Sequence, residues 1–154
     1  MPENNNNQNS SPSQNLTDLF DQIEPFIVNI FREQKQLTLR DTLTFPHIVV
    51  DGLTKCEPNE PKQFFSLLEE RIKKEVDLYI EYLKKFPVDD KLIKYLEEEL
   101  QKVEIAYQRV YCLFKPINFL LIAFNLDLKS CCFDYFATKL FEELDIEKLI
   151  MENN

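Results

Sequence analysis

The chain of 154 residues contains a single glycine, Gly52. Tight hairpin turns in strand-rich folds rely on glycine, whereas long helices are more stable without it. From Leu16 onward, apolar residues also recur every three to four positions, which is the spacing of one helix face. The sequence therefore predicts an all-α fold, namely a single bundle of about five to six helices.

Composition divides the chain into two regions. Residues 1–15 consist mainly of Asn, Gln and Ser with almost nothing apolar, so we predict a disordered tail. Residues 16–150 carry nearly all the apolar side chains, which is enough for one core. They are predicted to form one helical domain.

Two long helices are predicted in the middle of this domain. The third helix should run over residues 61–85 and the fourth over residues 89–116, with Pro87 between them as a stop signal. Ile72 and Val103 lie midway along the two apolar stripes. We predict that both side chains are buried.

The other helices are shorter. The first should begin near residue 16, capped by Asn15, Thr17 or Asp18, and the last should be capped by Ser130. A short second helix is predicted within residues 37–53, because Pro46 interrupts that segment.

The segment 117–124 is apolar on nearly every side. This pattern is typical of a helix buried all round, or of a helix whose surplus apolar face meets a partner. The sequence leaves both possibilities open.

Net charge excludes several classes of partner. The formal charge of −9 disfavours binding to nucleic acid or to anionic membrane surfaces, because both require clustered Lys and Arg. No stretch of about 18 uncharged apolar residues is present, and the N-terminus lacks the basic and apolar pattern of a signal peptide. We expect a cytoplasmic or nuclear protein.

The sequence offers no set of residues for catalysis, for a metal or for a cofactor. His47 is the only histidine, and one glycine cannot build a phosphate-binding loop. The run Glu97-Glu98-Glu99 covers three sides of a helix and is predicted to be solvated. The cysteines lack metal-ligand spacing and are predicted to be small buried residues; they are Cys56, Cys112, Cys131 and Cys132. We therefore expect no enzyme activity, no cofactor and no small-molecule substrate.

Several segments taken together resemble a known repeat. They are Leu19-Phe20-Asp21-Gln22-Ile23, Phe45-Pro46-His47-Ile48-Val49, Phe64-Phe65 with Leu68, Leu100, and Pro116-Ile117-Asn118-Phe119-Leu120-Leu121. From Leu19 to about Phe141 the chain is similar in this way to the first N-terminal repeat of cullins, the elongated scaffolds of multisubunit ubiquitin ligases. Most of the matches replace one apolar residue by another.

The resemblance implies a helical, non-enzymatic protein-interaction module. In cullins the second and fifth helices of this repeat bind adaptor proteins of BTB or related fold. Carried over to this chain, the protein-binding residues would be Asp41, Thr42, Phe45, Val49, Pro116 and Phe119. Phe45 and Phe119 would be the anchors of that contact.

This sequence also departs from the cullin pattern. Asp41 stands where the family has an aromatic residue, Phe119 replaces an arginine, and tryptophan is absent. A chain of one repeat would also lack the region through which cullins hold a RING subunit. The alternative interpretation is an unrelated helical bundle that binds another protein or oligomerises.

Overall fold

The computed structural model describes residues 11–86, 90–144 and 151, and for residues 90, 92 and 93 it describes the backbone alone. The described residues form six α-helices and no strand, which confirms the predicted all-α bundle. The helices are α1 (Gln14–Val28), α2 (Leu39–Thr54), α3 (Glu60–Leu83), α4 (Asp90–Phe114), α5 (Asn118–Ala123) and α6 (Tyr135–Glu143). Residues 1–10 of the predicted tail, Pro87, Asp89 and residues 145–150 lie outside the described part.

Short turns extend or join these helices. A π-helical turn, Asn29–Glu33, continues α1, and a 3-10 turn, Lys115–Ile117, leads from α4 into α5. A second π-helical turn, Ser130–Asp134, precedes α6. In the described ranges no helix is both long and apolar enough to span a bilayer.

The start of α1 differs from the prediction. Ser13 is the N-cap, and its Oγ accepts a hydrogen bond from the Leu16 amide at 3.2 Å. The Ser13 amide and hydroxyl both donate to the carboxylate of Glu60, at 2.9 and 2.7 Å. Hydrogen bonds from Ser13 and from the Glu57 amide lower the pKa of Glu60. Helix α1 therefore begins at Gln14, earlier than predicted. The carboxylate of Glu60, at the start of α3, holds its cap residue in place.

Helix α2 is longer than predicted and continues through Pro46. A proline within a helix cannot donate to the carbonyl four residues earlier, which normally ends or bends the helix. Pro46 is buried, as are Phe45 and Val49 on the same helix. Packing of this face accounts for the continuation of α2 past Pro46.

Gly52 marks a close approach of two helices. Helix α1 packs against α2 and α3, α4 packs against α2, and α6 packs against α3. A Cβ atom at Gly52 of α2 would lie 2.5 Å from Cδ1 of the buried Leu19 of α1. The only glycine of the chain therefore lies where a side chain would push α1 and α2 apart.

The core is rich in phenylalanine. Ile72 and Val103 are both buried, as predicted. A group of rings, here called the phenylalanine cluster, crosses the bundle; it consists of Phe26, Phe45, Phe65, Phe114 and Phe124. Its rings come from α1, α2, α3, the end of α4 and the residue after α5, so the cluster joins all of these segments.

One buried carboxylate ties α3 to the end of α1. The side chain of Glu75 is 1% exposed, and Arg32 Nε donates to its Oε1 at 2.8 Å. Arg71 Nη1 donates to its Oε2 at 2.7 Å, while Arg71 Nε donates to Glu24 at 2.7 Å. Burial raises the pKa of Glu75, but the hydrogen bonds and charges of Arg32 and Arg71 outweigh burial and lower it below 4.5.

We predict that Glu75→Gln lowers the free energy of unfolding at pH 7 by about 2 to 3 kcal/mol. Removing one partner of a fully buried pair costs about 3 to 5 kcal/mol, and the loss is smaller here because Arg32 is half exposed. A carboxylate with a lowered folded pKa stabilises the fold above its unfolded pKa and loses that contribution as pH falls through the folded value. The difference between wild type and variant should therefore shrink as pH falls below 4.5.

Urea unfolding at several pH values from 7 to 3 measures both effects. Glu70→Gln is the control, because Glu70 is exposed on the same helix. A Glu75→Gln loss equal to that of the control would contradict the assignment.

Candidate functional site

Two of the six residues that the resemblance placed on the contact surface lie in the core. Phe45 and Val49 are fully buried. The Phe45 ring packs edge-to-face against Phe26 and Phe114, with centroids 5.2 and 5.0 Å away. These two side chains therefore cannot touch a partner in this structure, which corrects that part of the expectation.

Asp41 and Thr42 are half-buried, and their polar groups stabilise the start of α2. Asp41 accepts from the Thr38 amide at 3.1 Å, and its own amide donates to Thr38 Oγ1 at 3.1 Å. This reciprocal pair is a capping box, which the sequence signals as Thr-x-x-Asp. The Thr42 hydroxyl donates to the Leu39 carbonyl at 2.8 Å. The acidic residue at the predicted aromatic position is thus explained by helix capping.

The exposed apolar surface of α2 lies beside the predicted residues. Leu39, Leu43 and Val50 are between 40% and 76% exposed. With the buried Pro46 they follow i, i+4, i+7, i+11 spacing and so share one stripe of the helix. This second stripe adjoins the Phe45 and Val49 stripe, which makes the apolar part of α2 wider than its core contact requires. We call Leu39, Leu43 and Val50 the α2 face.

The remaining two predicted residues lie at the surface. Pro116 is exposed, and Phe119 of α5 is 64% exposed. Ile122, one turn further along α5, is 70% exposed, whereas Leu121 is buried. The segment 117–124 is therefore not buried all round and has a surplus apolar face. We call Phe119 and Ile122 the α5 face.

The two faces belong to helices joined through α4. Helix α2 packs against α4, and Phe45 contacts Phe114, the last residue of α4. The turn Lys115–Ile117 then leads directly into α5. The α2 and α5 faces are thus carried by elements that meet at the C-terminal end of α4.

Among the described residues, no group of three or more His, Cys, Asp or Glu side chains could hold a metal ion, and His47 is exposed. Cys131 and Cys132 are buried, as predicted, and burial raises the pKa of both thiols, that of Cys131 to about 12. The prediction was wrong for Cys112, which is exposed, and Cys56 is half-buried.

No protein-family model, no curated protein and no solved structure matches this chain. The resemblance to the cullin repeat therefore rests on the sequence segments that carry it.

The two predicted aromatic anchors should behave differently when truncated. Phe45→Ala should lower the free energy of unfolding by about 3 to 5 kcal/mol, because it leaves a cavity inside the phenylalanine cluster. Phe119→Ala should change it by less than about 0.5 kcal/mol, because its ring is mostly in solvent. Denaturant unfolding of the two variants, which remove the same atoms, provides the comparison. Similar losses would mean that one of the two rings has been placed wrongly.

Proposed function

We propose that this protein is a non-enzymatic protein-interaction module whose contact surface combines the α2 face with the α5 face. The observation that carries the proposal is the exposure of five large apolar side chains on two short segments. Such residues are normal on a surface when scattered singly, whereas their concentration is typical of protein-binding sites. Fully burying an exposed side chain of this kind contributes about 1.5 to 3 kcal/mol, and each of these partly covered residues would contribute a part of that on a partner.

The partner we propose is an adaptor of BTB or related fold. The resemblance to the cullin repeat assigns the contact to the second and fifth helices, and five of the exposed large apolar side chains lie on these two helices. Pro116 and Phe119 keep the positions that the resemblance gives them. On α2 we assign the contact to the neighbouring α2 face, because Phe45 and Val49 are buried.

The polar surroundings also suit a protein partner. Arg40, His47 and Asp51 are exposed on α2 beside its apolar face. Interfaces commonly have an apolar centre and a polar rim of this kind. As part of a ubiquitin-ligase assembly in the cytoplasm or nucleus, the module would position an adaptor and carry out no chemical step itself.

Purified BTB-fold adaptors, each measured against the purified chain by titration calorimetry, test the proposal. At least one adaptor should bind the wild type. Leu43→Asp and Phe119→Asp should each weaken binding by about 2 kcal/mol, which is roughly 30-fold. Ile105→Asp is the matched control, because Ile105 is a partly exposed apolar residue on α4. Circular dichroism melts verify that each variant is folded.

Three results would count against this proposal. Wild-type chain that binds none of the adaptors would remove the adaptor as partner. Full binding by a folded Leu43→Asp, Phe119→Asp double variant would remove the two faces as the contact surface. A wild-type dimer in sedimentation that the double variant dissociates would instead support the oligomerising bundle.

A further inference from the structure

A groove of about 430 Å³ lies on a different part of the molecule from the α2 and α5 faces. Its walls come from the π-helical turn Asn29–Glu33 and from α3 and α4, and no residue of α2 or α5 lines it. This volume is within the range of pockets that hold small ligands or single side chains. The groove is therefore large enough to be a binding site.

The groove is lined by a carboxylate that lacks one hydrogen-bond donor. Glu99 was predicted to be solvated as part of the run Glu97–Glu99, but its side chain is 1% exposed. Its Oε1 accepts from Lys102 Nζ at 3.0 Å. Its Oε2 is buried and has no hydrogen-bond partner in the described part of the chain. A buried charged atom without a partner is costly, so this oxygen favours any donor that can reach it.

Glu75 provides a comparison within the same groove. It is equally buried, but Arg32 donates to both of its oxygens and Arg71 adds a third bond. Glu99 has Lys102 alone. Glu99 therefore has one fewer cationic side chain and two fewer hydrogen bonds than Glu75.

Aromatic rings line the groove beside Glu99. Phe31, Tyr79, Tyr82 and Tyr95 all border it. The rings of Tyr79 and Tyr82 are stacked with their centroids 6.2 Å apart. The ring of Phe86 lies between those of Tyr82 and Tyr95, with its centroid 5.4 Å from each. Tyr95 lies one helical turn before Glu99. A cation in the groove would thus meet both a carboxylate and aromatic rings, which attract cations.

We propose that this groove binds a cationic nitrogen group, an alkylammonium or a guanidinium, which donates to Glu99 Oε2 and packs against the tyrosine rings. A hydrogen bond to a carboxylate is already charge-assisted, and a cationic donor adds the attraction of opposite charges to it. Tyr82 lines the groove and is half exposed to solvent. Two carboxylates, Glu75 and Glu99, and two cations, Arg32 and Lys102, line the groove, so the preference for a cation rests on the unpartnered Glu99 Oε2 and the aromatic rings.

The probes are n-butylammonium and ethylguanidinium, with butan-1-ol as a neutral analogue, titrated at constant ionic strength into the ¹⁵N-labelled full chain. We expect saturable shifts of amide signals around Tyr82 and Glu99 with at least one cation, and binding of butan-1-ol at least about tenfold weaker. Glu99→Gln should weaken cation binding at least about tenfold. Glu98→Gln, an exposed neighbour on the same helix, should leave it unchanged.

A blocked tripeptide with a central arginine separates two sources of the cation. Binding tighter than that of ethylguanidinium would indicate a side chain of a partner polypeptide, and equal binding would indicate a free amine or guanidine. If Glu99→Gln fails to fold, Tyr82→Ala takes its place and should weaken binding in the same way. The proposal is overturned if neither cation gives saturable shifts, if butan-1-ol binds equally well, or if the tested folded groove variant binds as the wild type does.

Discussion

The burial of the Phe45 ring between Phe26 and Phe114 is the contact on which the rest of the structure depends. Each of the three rings belongs to a different helix, so one side chain joins α1, α2 and α4. Edge-to-face pairs of this kind contribute about 0.5 to 1.5 kcal/mol beyond the burial of their area. They also fix the rotation of α2 about its own axis. With Phe45 and Val49 turned inward, Leu39 and Leu43 on the adjoining stripe of the helix are exposed.

This constraint connects the fold to the proposed function. Helix α2 is a core element on one side and an exposed apolar surface on the adjoining side, and the phenylalanine cluster holds both in place. A rigid surface loses little conformational freedom when it binds, so more of the burial energy of Leu39, Leu43 and Phe119 can appear as affinity. The groove beside Glu99 lies between other elements, so the two proposals stand on separate observations.

Local patterns in the sequence predicted the fold, and long-range contacts account for what they missed. The spacing of apolar residues predicted the helices and the burial of Ile72, because periodicity is a property of the helix itself. The role of Ser13 could not be predicted, since it depends on Glu60, 47 positions away. Ser130 was wrongly expected to cap the last helix. Its amide instead donates to Oδ1 of Asp127, three residues earlier, and Ser130 itself is the first residue of the π-helical turn before α6.

The sequence placed the candidate contact residues on α2 and α5, and the structure shows that two of them, Phe45 and Val49, are buried. Two neighbouring apolar stripes on α2 have the same spacing, so periodicity alone cannot decide which one faces the core. The Thr-x-x-Asp spacing of the Thr38 and Asp41 capping box and the width of the apolar surface of α2 are both visible in the sequence. Glu99 could not be identified from the sequence, because its burial depends on the packing of α4 against segments that are distant along the chain.

Hydroxyl-radical footprinting of the native chain, read by mass spectrometry at single residues, tests the central claim most directly. The orientation of α2 and α5 predicts that Leu43 and Phe119 are oxidised at rates approaching those of the unfolded chain, while Phe45 and Phe114 are protected. Oxidation of Phe45 as fast as that of Phe119 in the folded protein would contradict the account.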